Sequence, residues 1–295
     1  MLVSDILKKI RPTFSFEFLP PRNQEDSDEL YQTINALVPL EPSFVTITYG
    51  AGGTKRELTR DLVMRLQRDN KMTVVSHLTA VTASKTEIYN ILQKYRENHV
   101  VNIMALRGDP PRGVTNFIPC EDGFCHGAEM VEFIKKNFPE ISIGVAGYPE
   151  GHPEARNRIL ELDYLKAKID AGADYIVTQL FFDNRDYFDF IERCELAGIK
   201  VPIIPGILPI TSKRSMMRMA DLTARVRFPA RLLKALSRTD DDHAFAKVGV
   251  HWATQQVLDL LHNDVCGIHF YTFNKSRYTL SIYDSLGLRK LSKPI

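Results

Sequence analysis

Residues 156–208 read RNRILELDYLKAKIDAGADYIVTQLFFDNRDYFDFIERCELAGIKVPIIPGIL, and their order decides the fold class. A helix is predicted over 156–171; it breaks at Ala171-Gly172 and gives way to an apolar strand predicted over Tyr175–Phe181. The order then repeats, with a helix over 185–197, a break at Ala197-Gly198 and a strand over Pro202–Leu208. Glycine at a helix end can take the left-handed conformation that caps the helix and turns the chain back. Alternation of this kind argues for a parallel sheet, because each helix returns the chain to the end where the last strand began.

The alternation extends in both directions. Further strands are predicted at Thr13–Phe18, Phe44–Tyr49, Thr73–Thr79, Val100–Leu106, Ser142–Tyr148 and Gly267–Phe273. Further helices are predicted at 26–38, 56–69, 84–96, 127–137, 211–224 and 276–286. The helix over 84–96 opens Ser84-Lys85-Thr86-Glu87, a capping-box spacing, and carries Ile88, Ile91, Leu92 and Tyr95 at the steps of three and four that one buried stripe requires. Eight such units predict an α/β fold, a single (β/α)8 barrel of the TIM type. An open doubly wound sheet would instead want a Gly-x-Gly-x-x-Gly turn after its first strand. The connection from Pro209 to Asn263 is too long for one helix, so extra helices are expected between strands seven and eight. The last of them is predicted over 241–261, with Val250, Ala253, Val257 and Leu260 on one face. One domain over 1–295 is expected.

Of the 295 residues, 44% are hydrophobic and 25% charged, and 38 basic against 36 acidic side chains leave a formal net charge of +2. That balance gives no field to recruit nucleic acid or membrane, and a small-molecule partner becomes the default. The segment from Met1 to Lys9 lacks the apolar run of a signal peptide and no stretch is long enough to cross a bilayer, so a cytoplasmic protein is expected. Cys120, Cys125, Cys194 and Cys266 are too few and too dispersed for a disulfide framework, and Cys120, Cys125 and His126 lack the second ligand pair of a zinc site. Reduced thiols and no metal are expected.

In a barrel the working face lies at the carboxyl ends of the strands. Strand one ends Phe14-Ser15-Phe16-Glu17-Phe18, and two-residue alternation puts the phenylalanines on one face and Ser15 with Glu17 on the other. With the phenylalanines against the helices, Glu17 points into the barrel. There desolvation is expected to raise its pKa and fit it for general-acid work, the alternative being an ion pair across the mouth. Strand two leaves through Thr48-Tyr49-Gly50-Ala51-Gly52-Gly53, a bare backbone that suits a phosphate or a planar ring, or forms a tight turn. Strand three brings His77, as chemistry or as satisfied structure. Strand four ends Arg107-Gly108-Asp109-Pro110-Pro111, where Arg107 suits a phosphate or carboxylate and Asp109 an amino-substituted heterocycle, unless the two pair with each other. Gln179, in the apolar run of strand six, is costly to bury without a hydrogen-bond partner, which points to a ligand. Strand eight finishes His269-Phe270-Tyr271-Thr272-Phe273-Asn274-Lys275. These readings stop at a barrel enzyme for a polar heterocyclic ligand.

The ordered set of these motifs, with Pro20-Pro21-Arg22, Tyr148-Pro149-Glu150-Gly151-His152-Pro153-Glu154-Ala155 and Thr178-Gln179-Leu180-Phe181-Phe182, resembles that of methylenetetrahydrofolate reductases from about residue 12 to 288. The resemblance implies a barrel that binds FAD at its carboxyl rim, takes hydride from NADH or NADPH, and passes it to 5,10-methylenetetrahydrofolate in a ping-pong cycle. It implies Glu17 as general acid, Asp109 near pterin and flavin, and Gln179 touching folate and nicotinamide in turn; Lys275 is assigned to the substrate as well. Thr48, Tyr49, Ala51, His77, Arg107, Gly108, Asp109, Gly127, Tyr148, His152, Ala155, Glu161 and Lys168 match cofactor positions.

The chain departs from the family at several of these places. His126-Gly127 stands where a Tyr-Ala pair is frequent, Glu161 where aspartate is usual, Tyr164 where some members have asparagine, and Ala167 where some have arginine. Its length matches the short bacterial-type enzymes, for which inhibition by S-adenosylmethionine is not expected. A basic run of Lys213, Arg214, Arg218, Arg225, Arg227, Arg231, Lys234 and Arg238, offset by Asp221, reads as a solvated face or as an attractor for an anionic folate tail. Two other functions stay open: a folate- or flavin-binding barrel without reductase turnover, and a flavin-free pterin methyltransferase-like barrel. The sequence leaves NADH against NADPH and the oligomeric state undecided.

Overall fold

The structure is a computed structural model and describes residues 1–35, 37–49, 53–69, 72–108, 119–223 and 226–288. The strands β1 (Thr13–Phe18), β2 (Phe44–Ile47), β3 (Val74–Thr79), β4 (Asn102–Leu106), β5 (Ser142–Gly147) and β6 (Tyr175–Thr178) pair in parallel, each with the next. β7 (Ile203–Ile204) continues the series beside β6, while β8 (Gly206–Ile207) lies beside β9 (Gly267–Tyr271), which returns to β1. β7 and β8 are the halves of the strand expected over Pro202–Leu208, parted at Pro205. Proline brings no N–H to a ladder, so the strand breaks there and its halves pair on opposite sides, which closes the barrel. The Pro205 carbonyl still accepts from the His269 N–H at 2.9 Å. Gly206 beside the break is demanded by close approach, since a Cβ there would stand 2.3 Å from the Thr178 carbonyl oxygen.

The helices are α1 (Val3–Lys9), α2 (Gln24–Asn35), α3 (Gly53–Asp69), α4 (Lys85–Glu97), α5 (Gly127–Asn137), α6 (Arg158–Asp170), α7 (Asn184–Leu196), α8 (Lys213–Thr223), α9 (Ala230–Leu236), α10 (Asp242–His262) and α11 (Ser276–Leu286). The expected extra helices between the last two barrel strands are α8, α9 and α10. The capping box of α4 forms as its spacing predicts: the Glu87 N–H donates to Ser84 Oγ at 3.2 Å and the Ser84 N–H to Glu87 Oε2 at 2.8 Å.

Strand residues divide between two cores, as the pleat requires. Phe16, Phe18, Val45, Ile47 and Leu78 join the helices in the outer core. Phe44, Val75, Met104, Tyr175 and Val177 fill the barrel interior below the mouth, where α1 adds Val3 and Leu7 as a plug. The first N–H groups of α1, which no helical turn can satisfy, are taken by strand-start side chains: Val3 N–H donates to Asn102 Oδ1 at 2.8 Å and Ser4 N–H to Ser142 Oγ at 3.2 Å. A third core lies under α8, α9 and α10, around Phe182, Leu208, Ile210 and Phe245.

Candidate active site

The register of β1 with its neighbours builds the centre of the site. Ser15 stands level with His269 of β9, and Glu17 level with Thr46 of β2. With Phe16 and Phe18 fully buried in the outer core, Ser15 and Glu17 face the barrel interior as alternation predicts. One carboxylate oxygen, Glu17 Oε2, gathers three partners: Thr46 Oγ1 donates to it at 3.3 Å, His77 Nε2 lies 3.3 Å away and His269 Nε2 3.4 Å away. His269 is fully buried, and its Nδ1 is 2.8 Å from Ser15 Oγ, so Ser15, His269 and Glu17 form one chain of contacts. Nε2 of His77 is close enough for charge but out of line for a hydrogen bond, and it has no other hydrogen-bond partner among the described residues.

These contacts reverse the pKa expected for Glu17. Burial does push its carboxyl upward, but the two imidazoles beside the carboxylate, His77 by charge and His269 by charge and a hydrogen bond, outweigh it and hold the group down to about 2. Glu17 is therefore a carboxylate at neutral pH. The sequence expectation counted desolvation and could not see two imidazoles arriving from β3 and β9.

The carboxyl exits of the other strands surround this carboxylate. Thr48 Oγ1 donates to the Phe18 carbonyl at 3.2 Å, bracing β2 to β1, and the guanidinium of Arg56 lies over the Tyr49 ring at 5.4 Å. Thr272 Oγ1 donates to the Glu17 carbonyl at 2.6 Å, and the Leu19 N–H to Asn274 Oδ1 at 2.8 Å, so the β9 exit is tied to the β1 exit; exposed Lys275 follows at the start of α11. Gln179 leaves β6 at the same end, its N–H on the Gly147 carbonyl at 2.7 Å. Ala51 and Asp109 lie outside the described residues, as do Gly50, Gly52 and Arg225.

A second group of predicted residues collects on one side of the mouth. Arg107 grips Glu154 of the β5–α6 loop with both terminal nitrogens, at 2.6 and 2.8 Å, and holds that carboxyl below its ordinary range. Gly108 follows Arg107 with φ of +84°. The same loop carries Tyr148 edge-on to His152, ring centroids 4.6 Å apart, and buries Ala155. Lys168 of α6 donates to the Ala146 carbonyl at 2.9 Å; burial drives its pKa down to about 8 against the pull of Glu161, itself buried. Gly127, at the start of α5, lies beside the Lys168 stem. Two of the departures meet here: the His126 ring stacks on the Tyr164 ring at 6.2 Å.

The basic run is not one face. Arg227 donates its backbone N–H to Glu150 Oε1 at 2.8 Å and bridges Glu150 to Asp186 with its guanidinium, linking the β5–α6 loop to α7. Residues that the sequence reading passed over as site members are Ser15, Thr46, His269 and Glu154. The first three share a face with Glu17 or His77 by alternation and register; nothing local in the sequence marks Glu154 as the partner of Arg107.

The sequence profile of the family described as methylenetetrahydrofolate reductase matches residues 2–287. The chain is 36% identical to methylenetetrahydrofolate reductase (NADH) 1 of Arabidopsis thaliana, over 99% of its own length but 52% of the relative's. It is 37% identical to 5,10-methylenetetrahydrofolate reductase of Escherichia coli, covering 93% of its own length and 90% of the relative's. It thus spans about half the length of plant relatives and nearly all of a bacterial one. Among solved structures, an uncharacterised protein from Clostridium thermocellum that binds two copies of 5-methyl-5,6,7,8-tetrahydrofolic acid superposes with a TM-score of 0.67 at 16% identity, covering 99% of this chain and 100% of that one.

Proposed function

The chain belongs to the methylenetetrahydrofolate reductase family, and on that premise we propose that it reduces 5,10-methylenetetrahydrofolate to 5-methyltetrahydrofolate with NADH or NADPH as electron donor. The observation that carries the reading is the buried Glu17 carboxylate at the barrel mouth, one oxygen of which meets Thr46, His77 and His269. Opening the five-membered ring of the substrate to an iminium needs a proton at the leaving nitrogen, and the methyl group then needs hydride at the iminium carbon. FAD, when bound, would supply that hydride after accepting it from the nicotinamide in a ping-pong cycle. Glu17 delivers the proton as general acid. Because its carboxyl is ionised at rest, it must take up a proton before the ring opens, and Ser15 holds the far nitrogen of His269 and so the direction of the imidazole beside the carboxylate.

The residues of the loop-built side fit a dinucleotide. Lys168 has an ammonium pushed towards neutrality by burial, a cost that an anionic ligand would relieve, and Arg107 offers a planar fork suited to phosphate; beside them on β3, the buried His77 Nε2 has no hydrogen-bond partner among the described residues. Thr48, Tyr49, Ala51, Gly108, Gly127, Tyr148, His152, Ala155 and Glu161 are assigned to the same cofactor, and Asp109, Gln179 and Lys275 to the folate. Residues 1–295 are taken as one catalytic barrel acting in the cytoplasm.

The test is the visible spectrum of the anaerobic protein. An oxidised flavin band that bleaches with NADH or NADPH and returns with methylenetetrahydrofolate supports the assignment. A protein that takes up no flavin after reconstitution with FAD sinks it in favour of a flavin-free pterin barrel, and one that binds flavin and folate without turnover sinks it in favour of a binding protein.

A further inference from the structure

Gln179 follows the last residue of β6; its own N–H still bonds the β5 ladder at the Gly147 carbonyl, and the chain leaves the ladder immediately after it. Its amide oxygen accepts from the next N–H, that of Leu180, at 3.1 Å, which makes its direction a function of where the backbone goes beyond β6. That backbone is held by α10. Trp252 Nε1 donates to the Phe182 carbonyl at 2.9 Å, and Gln256 Nε2 to the Phe181 carbonyl at 3.2 Å. Asn184 Nδ2 answers with bonds to the Gln256 carbonyl at 3.0 Å and to Asp259 Oδ2 at 2.7 Å. The side chains of Phe181 and Phe182 are buried, so their carbonyls depend on these donors where no neighbouring strand continues the ladder.

Residues 249, 252, 256 and 259 fall on one stripe of a helix. At its upper end, a Cβ on Gly249 would stand 1.8 Å from the Ile210 carbonyl oxygen, so the α10 backbone is pressed against the chain leaving β8. One face of α10 therefore fixes the spacing between the β6 exit and the β8 exit. The same contacts that satisfy these carbonyls also hold the mouth at this spacing.

We propose that Trp252 and Gln256 are positioning residues for Gln179: by holding the Phe181 and Phe182 carbonyls they set the direction in which Gln179 offers its amide to a reduced folate. The inference rests on the proposed assignment of Gln179 to the folate, and the test separates the two. Trp252→Phe and Gln256→Met each remove a donor while keeping bulk. Both are made alone and combined with Gln179→Ala, and the dissociation constant for 5-methyltetrahydrofolate is measured by titration calorimetry, with flavin absorbance and melting temperature as controls.

Gln179→Ala is expected to weaken binding about 10-fold, and each α10 variant about 5-fold, as loss of one hydrogen bond implies. In the Gln179→Ala background the α10 variants are expected to add less than about 2-fold, the non-additivity of residues acting through one another. Unchanged binding in both α10 variants, or equal weakening in both backgrounds, overturns the positioning role while leaving Gln179 assigned. No effect of Gln179→Ala alone overturns the assignment and the inference together. If Trp252→Phe fails to fold, Gln256→Met decides.

Discussion

Glu17 and Arg107 stand at the same barrel mouth, and each is paired with residues remote in sequence, yet their surroundings are built of different material. The partners of Glu17 come from three strands, β2, β3 and β9, and its own side chain is 14% exposed against 9% and 0% for the two histidines. The partner of Arg107 comes from a loop, and the pair is 25% and 51% exposed. Charges that strands carry into a dry interior act on each other strongly; charges that loops hold in water are screened and interchange easily. On the proposed function, the proton chemistry falls to the rigid half of the site and the holding of an anionic ligand to the adaptable half. The departures at His126 and Tyr164 stack on each other beside the adaptable half.

The sharpest way to break the comparison is Glu17→Gln. It is expected to slow the folate half-reaction by about 10²- to 10⁴-fold, the range for a lost general acid, while flavin reduction by the nicotinamide nucleotide stays within about twofold. Stopped-flow absorbance at the flavin band measures both steps, and equal slowing of the two would put Glu17 in the binding of the cofactor.

Acid stability follows from the same carboxylate. Its folded pKa of about 2 lies below the ordinary 4.5, so the ionised form stabilises the fold, fully above pH 4.5 and progressively less as pH falls towards 2. The contribution is on the order of 3 kcal/mol. Urea unfolding of wild type and Glu17→Gln at stepwise lower pH is expected to show the wild-type advantage shrinking below about pH 4.5; an advantage constant with pH would contradict the ionised assignment.

On the loop-built side, Glu154→Gln is expected to change unfolding free energy by under about 1 kcal/mol, and that difference is expected to fade in high salt, as exposed pairs do. A cost matching that of Glu17 would erase the distinction between the two halves. The smallest effect is expected at Gly127. A Cβ there would meet Lys168 Cδ at 3.5 Å, an ordinary contact, and the position is not left-handed, so Gly127→Ala is expected to stabilise the protein by about 0.5 kcal/mol through the unfolded chain. Calorimetric melting reads it, and a loss of flavin in that variant would show that the bare backbone serves the cofactor.

The elements were most legible where the signal is local. α5 and α11 begin and end where periodicity predicts, at 127–137 and 276–286. Strands were read too long at the mouth, Phe44–Tyr49 against an observed end at Ile47 and Tyr175–Phe181 against an end at Thr178. Apolar character continues there, but the ladder does not, because the chain peels away to form the site. α1 and α9 span seven residues each and are too short for a helical period to show. Within the site, alternation found the inward face of Glu17, while the direction of its pKa shift depended on histidines that only the closed sheet delivers.

What the sequence determined alone is the order of strands and helices, the face each strand presents and the family motif set, because pleat, helical period and caps are properties of neighbouring residues. Tertiary structure decided the rest. It closed the barrel by splitting one strand at Pro205, set His269 beside Glu17 across 252 positions and Glu154 on Arg107 across 47, and laid α10 over the β6 exit. Each of those contacts depends on the accumulated geometry of many intervening turns, and the field each charge feels depends on how much water the whole assembly excludes.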